Sequence, residues 1–135
     1  IPVTLVVDAA VGHLMPTADL CIVGADSILS DGTVVNKIGT FPLAMSAREH
    51  GKPFIVLCEK SKFNLRSMFE SQHGVEEMDP AEVLPYASQG RLTVRNPYFD
   101  KTPSNLVSRL ITEDGDLSPE ELPGLFRKML SETHL

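Results

Sequence analysis

The chain has 135 residues, 42% hydrophobic and 22% charged, which fits one globular domain able to bury a core of its own. Its formal net charge of -6 at pH 7 argues against a general nucleic-acid-binding or anionic-membrane surface, and no apolar run approaches the ~20 residues that cross a bilayer. Two cysteines, Cys21 in LCIV and Cys58 in FIVLC, read as buried thiols of a reducing, cytoplasmic setting and are too few for a disulfide scaffold.

The run VTLVV (3–7) is β-branched and apolar, and predicts a buried strand. It follows directly on Ile1, with no initiator Met, which predicts a further N-terminal portion. Asp8 then stands where an N-cap would, and 9–15 is helix-compatible up to Pro16. LCIV (20–23) predicts a second strand ending at Gly24. Ile28-Leu29 and Thr33-Val34-Val35 flank Ser30-Asp31-Gly32, the signal of a small hairpin. Residues 40–50 predict a helix stopped by Gly51 and Pro53, and FIVLC (54–58) a third buried strand.

Periodicity fades over 64–97, where Pro80, Pro85 and Gly90 point to a long excursion, either functional or a plain insertion. Order returns at YFDKTP (98–103), followed by a predicted helix over 104–110, a short strand at Ile111-Thr112 and a break at Gly115. Ser118-Pro119-Glu120-Glu121 has the form of a capping box, and Leu122, Leu125, Phe126, Met129 and Leu130 make the apolar face of the helix it starts. Strands alternating with helices predict an α/β domain with a mainly parallel sheet, its continuously apolar strands buried on both faces, and a small β-hairpin insertion.

In such sheets ligands bind beyond the carboxyl ends of the strands. Asp8, Asp26 and the run Glu59-Lys60-Ser61-Lys62 follow the three predicted strands. Asn36-Lys37 precedes the 40–50 helix, whose N-terminal N–H groups favour an anion. Lys37, Lys62 and that helix end form a candidate phosphate site, and Asp26 is a candidate proton donor or acceptor. Each residue also has a plain structural alternative: Asp26 as a turn former, Lys37 as a solvated hairpin lysine, Lys62 as part of a solvated basic run. His13, His50, His73 and His134 lack metal-ligand spacing, GADSI is not a nucleophile elbow, and the glycines do not make a dinucleotide fingerprint. The residues alone thus predict an anion pocket and no particular reaction, metal or cofactor.

The segment VGADSILSDGTVVNKIGTFPLAMSAREHGKPFIVLCEKSKF resembles the signature region of the initiation factor 2B-related superfamily. IPVTLVVDAAVG before it and NPYFDKTPSNLVSRLITEDG after it extend the likeness over nearly the whole chain. That superfamily contains ribose-1,5-bisphosphate isomerase, methylthioribose-1-phosphate isomerase and the alpha, beta and delta regulatory subunits of eukaryotic translation initiation factor 2B. The resemblance implies that residues 1–135 are the family's C-terminal, Rossmann-like three-layer domain, without its helical N-terminal domain. It implies that Asp26, in GAD, is the acid–base carboxylate, and that Asn36 and Lys37, in NKIGT, and Lys62, before Phe63, bind a sugar phosphate.

The regulatory subunits commonly replace the GAD aspartate; its presence here tilts the resemblance toward the isomerases, which interconvert a ribose phosphate and its ribulose counterpart. VVDAAVG and EVLPY are nevertheless similar to the alpha and beta subunits, so a regulatory subunit of the exchange-factor complex is the alternative. The family's catalytic cysteine and its Arg/Gly phosphate loop belong to the helical half, and neither Cys21 nor Cys58 matches that cysteine. The resemblance therefore implies an isomerase whose activity needs the rest of the protein. Its expected partners are a small-molecule sugar phosphate, further copies of the chain and related initiation factor 2B subunits, with no nucleic acid, membrane, cofactor or metal.

Overall fold

Residues 1–69, 76–85 and 91–132 are described by a computed structural model. In chain order the elements are α1 (Val11–Leu14), β1 (Cys21–Val23), β2 (Ser27–Ile28), β3 (Val34–Lys37), α2 (Thr40–Glu49), β4 (Phe54–Leu57), β5 (Phe99–Thr102), β6 (Arg109–Thr112), β7 (Gly115–Leu117) and α3 (Leu122–Glu132), joined by short 3-10 turns. The main sheet runs β1-β4-β6-β7, parallel from β1 to β6 and closed by β7 antiparallel to β6. A second sheet, β2-β3-β5, is antiparallel throughout. The chain is α/β with a mostly parallel main sheet, as its strand–helix alternation predicts.

Three local expectations are corrected. Residues 3–7 form no strand: Val3 is 87% and Leu5 96% exposed, and no described strand offers them a ladder. An apolar run becomes a buried strand only where a partner edge takes its N–H and C=O groups. Burial also alternates along the main-sheet strands instead of covering both faces. Cys21, Phe54, Val56, Leu110 and Thr112 are buried, whereas Ile22, Leu57 and Ile111 are exposed. The register sets Val56 beside Leu110 and Leu57 beside Ile111, so one apolar sheet face stands bare among the described residues. The predicted helix over 104–110 is a 3-10 turn, Ser104–Leu106, followed by β6; the β-branched, alternating RLIT favours a strand beside β4. The predicted hairpin forms as β2 and β3, and β5 adds a third strand to it from far along the chain.

The predicted local signals hold elsewhere. The 118–121 capping box forms, and Leu122 and Phe126 of α3 are buried, with Leu125 and Met129 packed against the core. Asp8 is less successful: it begins a 3-10 turn, Asp8–Ala10, without capping it. On α2, Thr40, Ala44 and Ala47 are buried at helical spacing, and these small side chains let the helix lie close to β1, β4 and β5. The β2–β3 turn depends on Gly32, whose φ is 83°. A Cβ there would stand 2.8 Å from the Ser104 Cβ. Gly32→Ala is expected to cost about 2 kcal/mol or more, from the left-handed backbone plus this clash, read as a lower urea midpoint.

Candidate functional site

Asp26 and Lys62 occupy loops that leave the carboxyl ends of the parallel strands β1 and β4. The Asp26 N–H donates to the Val35 carbonyl at 3.0 Å, tying Asp26 to the strand that carries Asn36 and Lys37. Phe63, next to Lys62, bridges in parallel to Ile28, and the Asn64 N–H donates to the Ile28 carbonyl at 2.9 Å. Backbone pairing thus gathers the candidate residues along β2 and β3. Asp26, Lys37 and Lys62 are exposed and Asn36 is half-buried.

Among the described residues no ion pair involves Asp26, Lys37 or Lys62. Their neighbours in the loop after β4 are engaged differently. The Lys60 ammonium pairs with Asp114, and its backbone N–H donates to the Glu113 carboxylate. Asp114 raises the Lys60 pKa, chiefly through that side-chain hydrogen bond. Of the basic run, Lys60 anchors the loop, and no ion pair involves Lys62 among the described residues.

Consecutive strand residues face opposite sides of a sheet, which separates Asn36 from Lys37. The Asn36 Nδ2 donates to the Thr40 Oγ1 at 3.0 Å, and that hydroxyl donates to the Lys37 carbonyl at 2.6 Å. Asn36 is thereby fastened to the start of α2. The Lys37 Nζ instead lies 3.1 Å from the centroid of the Tyr98 ring. Lys37 and Asp8 also line a mostly apolar cleft of ≈ 710 Å³ between residues 6–18 and the start of α2.

The helix end proposed from sequence as an anion site already holds an anion. The Asp100 Oδ2 accepts from the N–H groups of Gly39 (2.8 Å) and Phe41 (3.0 Å), while Pro42 contributes no N–H. Gly39, at the N-cap with φ 104°, turns its N–H toward this carboxylate. The Asp100 Oδ1 is buried with no hydrogen-bond partner among the described residues. A phosphate near Lys37 would therefore lean on side-chain cations and not on the α2 terminus. Neither Asp100 nor Tyr98 was singled out by sequence reasoning. Both lie in YFDKTP, whose pairing with β3 is not encoded by any local pattern.

Cys21 is buried as predicted, whereas Cys58 is only half-buried. Burial pushes the Cys58 thiol up to about 11, with Glu113 adding to the rise and Lys62 opposing it. Its thiolate is accordingly scarce near neutrality. Iodoacetamide at pH 8 is expected to alkylate Cys58 about tenfold or more slowly in the folded chain than in urea, followed by mass spectrometry. Among the described residues no three His, Cys, Asp or Glu side chains gather as metal ligands would, and no helix is long and apolar enough to cross a membrane. His73, His134 and parts of the predicted excursion (70–75 and 86–90, including Gly90) lie outside the described residues.

The arrangement sets an exposed carboxylate, a fixed carboxamide and two ammonium groups without an ion-pair partner among the described residues along β2 and β3, groups whose chemistry suits a phosphorylated polyol. Comparison with known proteins bears on that chemistry. The profile of the initiation factor 2 subunit family matches residues 1–119. A ribose 1,5-bisphosphate isomerase from Haloferax volcanii is 40% identical over 98% of the chain, and a methylthioribose-1-phosphate isomerase from Desulforudis audaxviator is 45% identical over 88%. The chain spans only 42% and 36% of their respective lengths.

Among solved structures, a 5-methylthioribose 1-phosphate isomerase from Pyrococcus horikoshii superposes with a TM-score of 0.81 at 33% identity, covering 97% of this chain and 38% of that one. The delta subunit of a translation initiation factor eIF-2B from A. fulgidus gives 0.80 at 35%, covering 94% and 39%.

Proposed function

The chain belongs to the initiation factor 2 subunit family, and from that premise we propose that it is the C-terminal, sugar-phosphate-binding domain of an aldose–ketose isomerase of the ribose 1,5-bisphosphate type. The observation that carries this reading is the tethering of Asp26 to the strand of Asn36 and Lys37, with Lys62 brought alongside through the Ile28–Phe63 bridge. Asp26 acts as the acid–base carboxylate. Isomerisation opens the sugar ring and moves a hydrogen between C1 and C2, so a proton must pass to and from the sugar oxygens. An exposed carboxylate beside bound substrate performs that transfer. Lys37 and Lys62 hold phosphate, and Asn36, fixed by Thr40, orients the sugar.

The remaining groups of the active site come from outside residues 1–135, so the isolated chain has no turnover. The test is an assay of the whole protein containing this chain with ribose 1,5-bisphosphate and with methylthioribose 1-phosphate. Turnover of one of them is the expected result, and turnover of neither would sink the reading.

A second reading, a regulatory subunit of initiation factor 2B, is favoured by the bare sheet face with Ile22, Leu57 and Ile111, an apolar surface suited to subunit pairing. The two readings separate on purification. An isomerase assembles with copies of itself in the cytoplasm, whereas a regulatory subunit co-purifies with related factor subunits.

A further inference from the structure

The excursion between β4 and β5 carries no role in the reading above, yet its described parts are built with care around one residue of the site. Its two limbs are zipped together. Glu77 bridges antiparallel to Pro97, the Met78 N–H donates to the Asn96 carbonyl at 2.9 Å, and the Tyr98 N–H donates to the Glu76 carbonyl at 3.0 Å. The Asn96 side-chain amide donates to the Asp79 carbonyl and to the Glu82 carboxylate, and Arg95 pairs with Glu77. The zip ends at Tyr98, whose ring packs edge-on against Phe99 with centroids 6.2 Å apart and whose pKa is raised, chiefly by Glu82 beside it. On the other side of Tyr98 lies Lys37. The Ile38 N–H donates to the Tyr98 carbonyl at 2.8 Å, and the Lys37 ammonium rests over the Tyr98 ring.

The choice of a ring at this point has a chemical consequence. The limb is acidic, with Glu76, Glu77, Asp79 and Glu82 within seven residues. A carboxylate reaching Lys37 would cancel the charge that a phosphate needs. An aromatic face attracts the ammonium through its quadrupole and leaves the charge intact. It also occupies one side of the group only, so the N–H donors turned away from the ring stay open to a ligand. Lysine has a flexible four-carbon stem, and fixing it before an anion arrives removes part of the ordering cost of binding.

We propose that Tyr98 is a positioning residue for Lys37: its ring holds the ammonium ready for phosphate, and the zipped excursion, bonded to the Tyr98 backbone through Glu76, holds the ring in place. The proposal rests on the assignment of Lys37 to phosphate. It goes beyond that assignment by giving the excursion a function.

The test uses the whole protein that contains this chain, labelled at lysine, with inorganic phosphate and ribose 1,5-bisphosphate as probes, followed by NMR. Lys37 ε-methylene protons are expected upfield from the ring current in the wild type and in Tyr98→Phe, and at ordinary positions in Tyr98→Ala. Tyr98→Ala should weaken binding of the probes about two- to fivefold, Tyr98→Phe less than twofold, and Tyr98→Ala should add nothing on a Lys37→Ala background. Absence of the upfield shift in the wild type overturns the proposal without touching the function it serves. So does a Tyr98→Ala effect that persists undiminished on Lys37→Ala, since that marks a merely structural role. Wild-type binding by Lys37→Ala, or no binding of either probe by the wild type, removes the underlying reading and the proposal with it.

Discussion

Asp26→Asn in the whole protein that contains this chain is expected to lower isomerase turnover by about 10²–10⁴-fold, the usual contribution of a positioned acid–base group. The substitution keeps the size and shape of the side chain and removes only its ability to exchange a proton. Asp26 makes its structural contribution through the backbone, donating its N–H to Val35, and its side chain is exposed. The fold and the lysines proposed to hold phosphate should therefore survive. Unfolding by urea should match the wild type, KM should change far less than kcat, and the loss should fall on kcat. A variant that turns over sugar phosphate at the wild-type rate would remove Asp26 from the mechanism.

Phe126→Ala is expected to destabilise the chain by about 3–5 kcal/mol, measured by urea or thermal unfolding. Phe126 is 0% exposed, so truncation leaves a cavity in addition to the lost burial. Its ring stacks on Phe63 with centroids 5.5 Å apart and planes 13° apart. Phe63 is also the residue that bridges to Ile28 immediately after Lys62. The loss therefore reaches the site: the support that holds Lys62 near β2 is packed from behind by a helix at the far end of the chain. A milder change, Phe126→Leu, should retain most of the stability, because an apolar side chain of nearly sufficient volume still fills the space. Equal effects from the two substitutions would show that packing against Phe63 is not what Phe126 supplies.

The reach of the sequence differs sharply from one feature to the next. Ser30-Asp31-Gly32 predicts the hairpin turn because its bonds close within four residues: the Gly32 N–H donates to the Leu29 carbonyl and the Thr33 N–H to the Asp31 Oδ1. The span of α2 and the capping box before α3 are legible for the same reason. Residues 3–7 mislead because composition reports a preference for extended, buried backbone and is silent on whether a partner strand exists. The 104–110 segment misleads because a run compatible with a helix is claimed by the parallel edge of β4. Tertiary pairing overrides local preference in both places.

What the sequence by itself determined is the α/β plan, the hairpin, α2, the family likeness and the identity of Asp26, Asn36, Lys37 and Lys62 as candidates. These follow from periodicities, turn chemistry and motifs contained within short stretches. Only the tertiary structure decided that Asp100, 61 residues beyond Gly39, fills the N-terminus of α2, that Lys37 rests on Tyr98, and that one apolar face of the main sheet is bare. The physical reason is that a hydrogen bond or ring contact across 60 residues depends on strand register, here the pairing of β3 with β5. Register is a property of how two distant segments pack, and neither segment carries it alone.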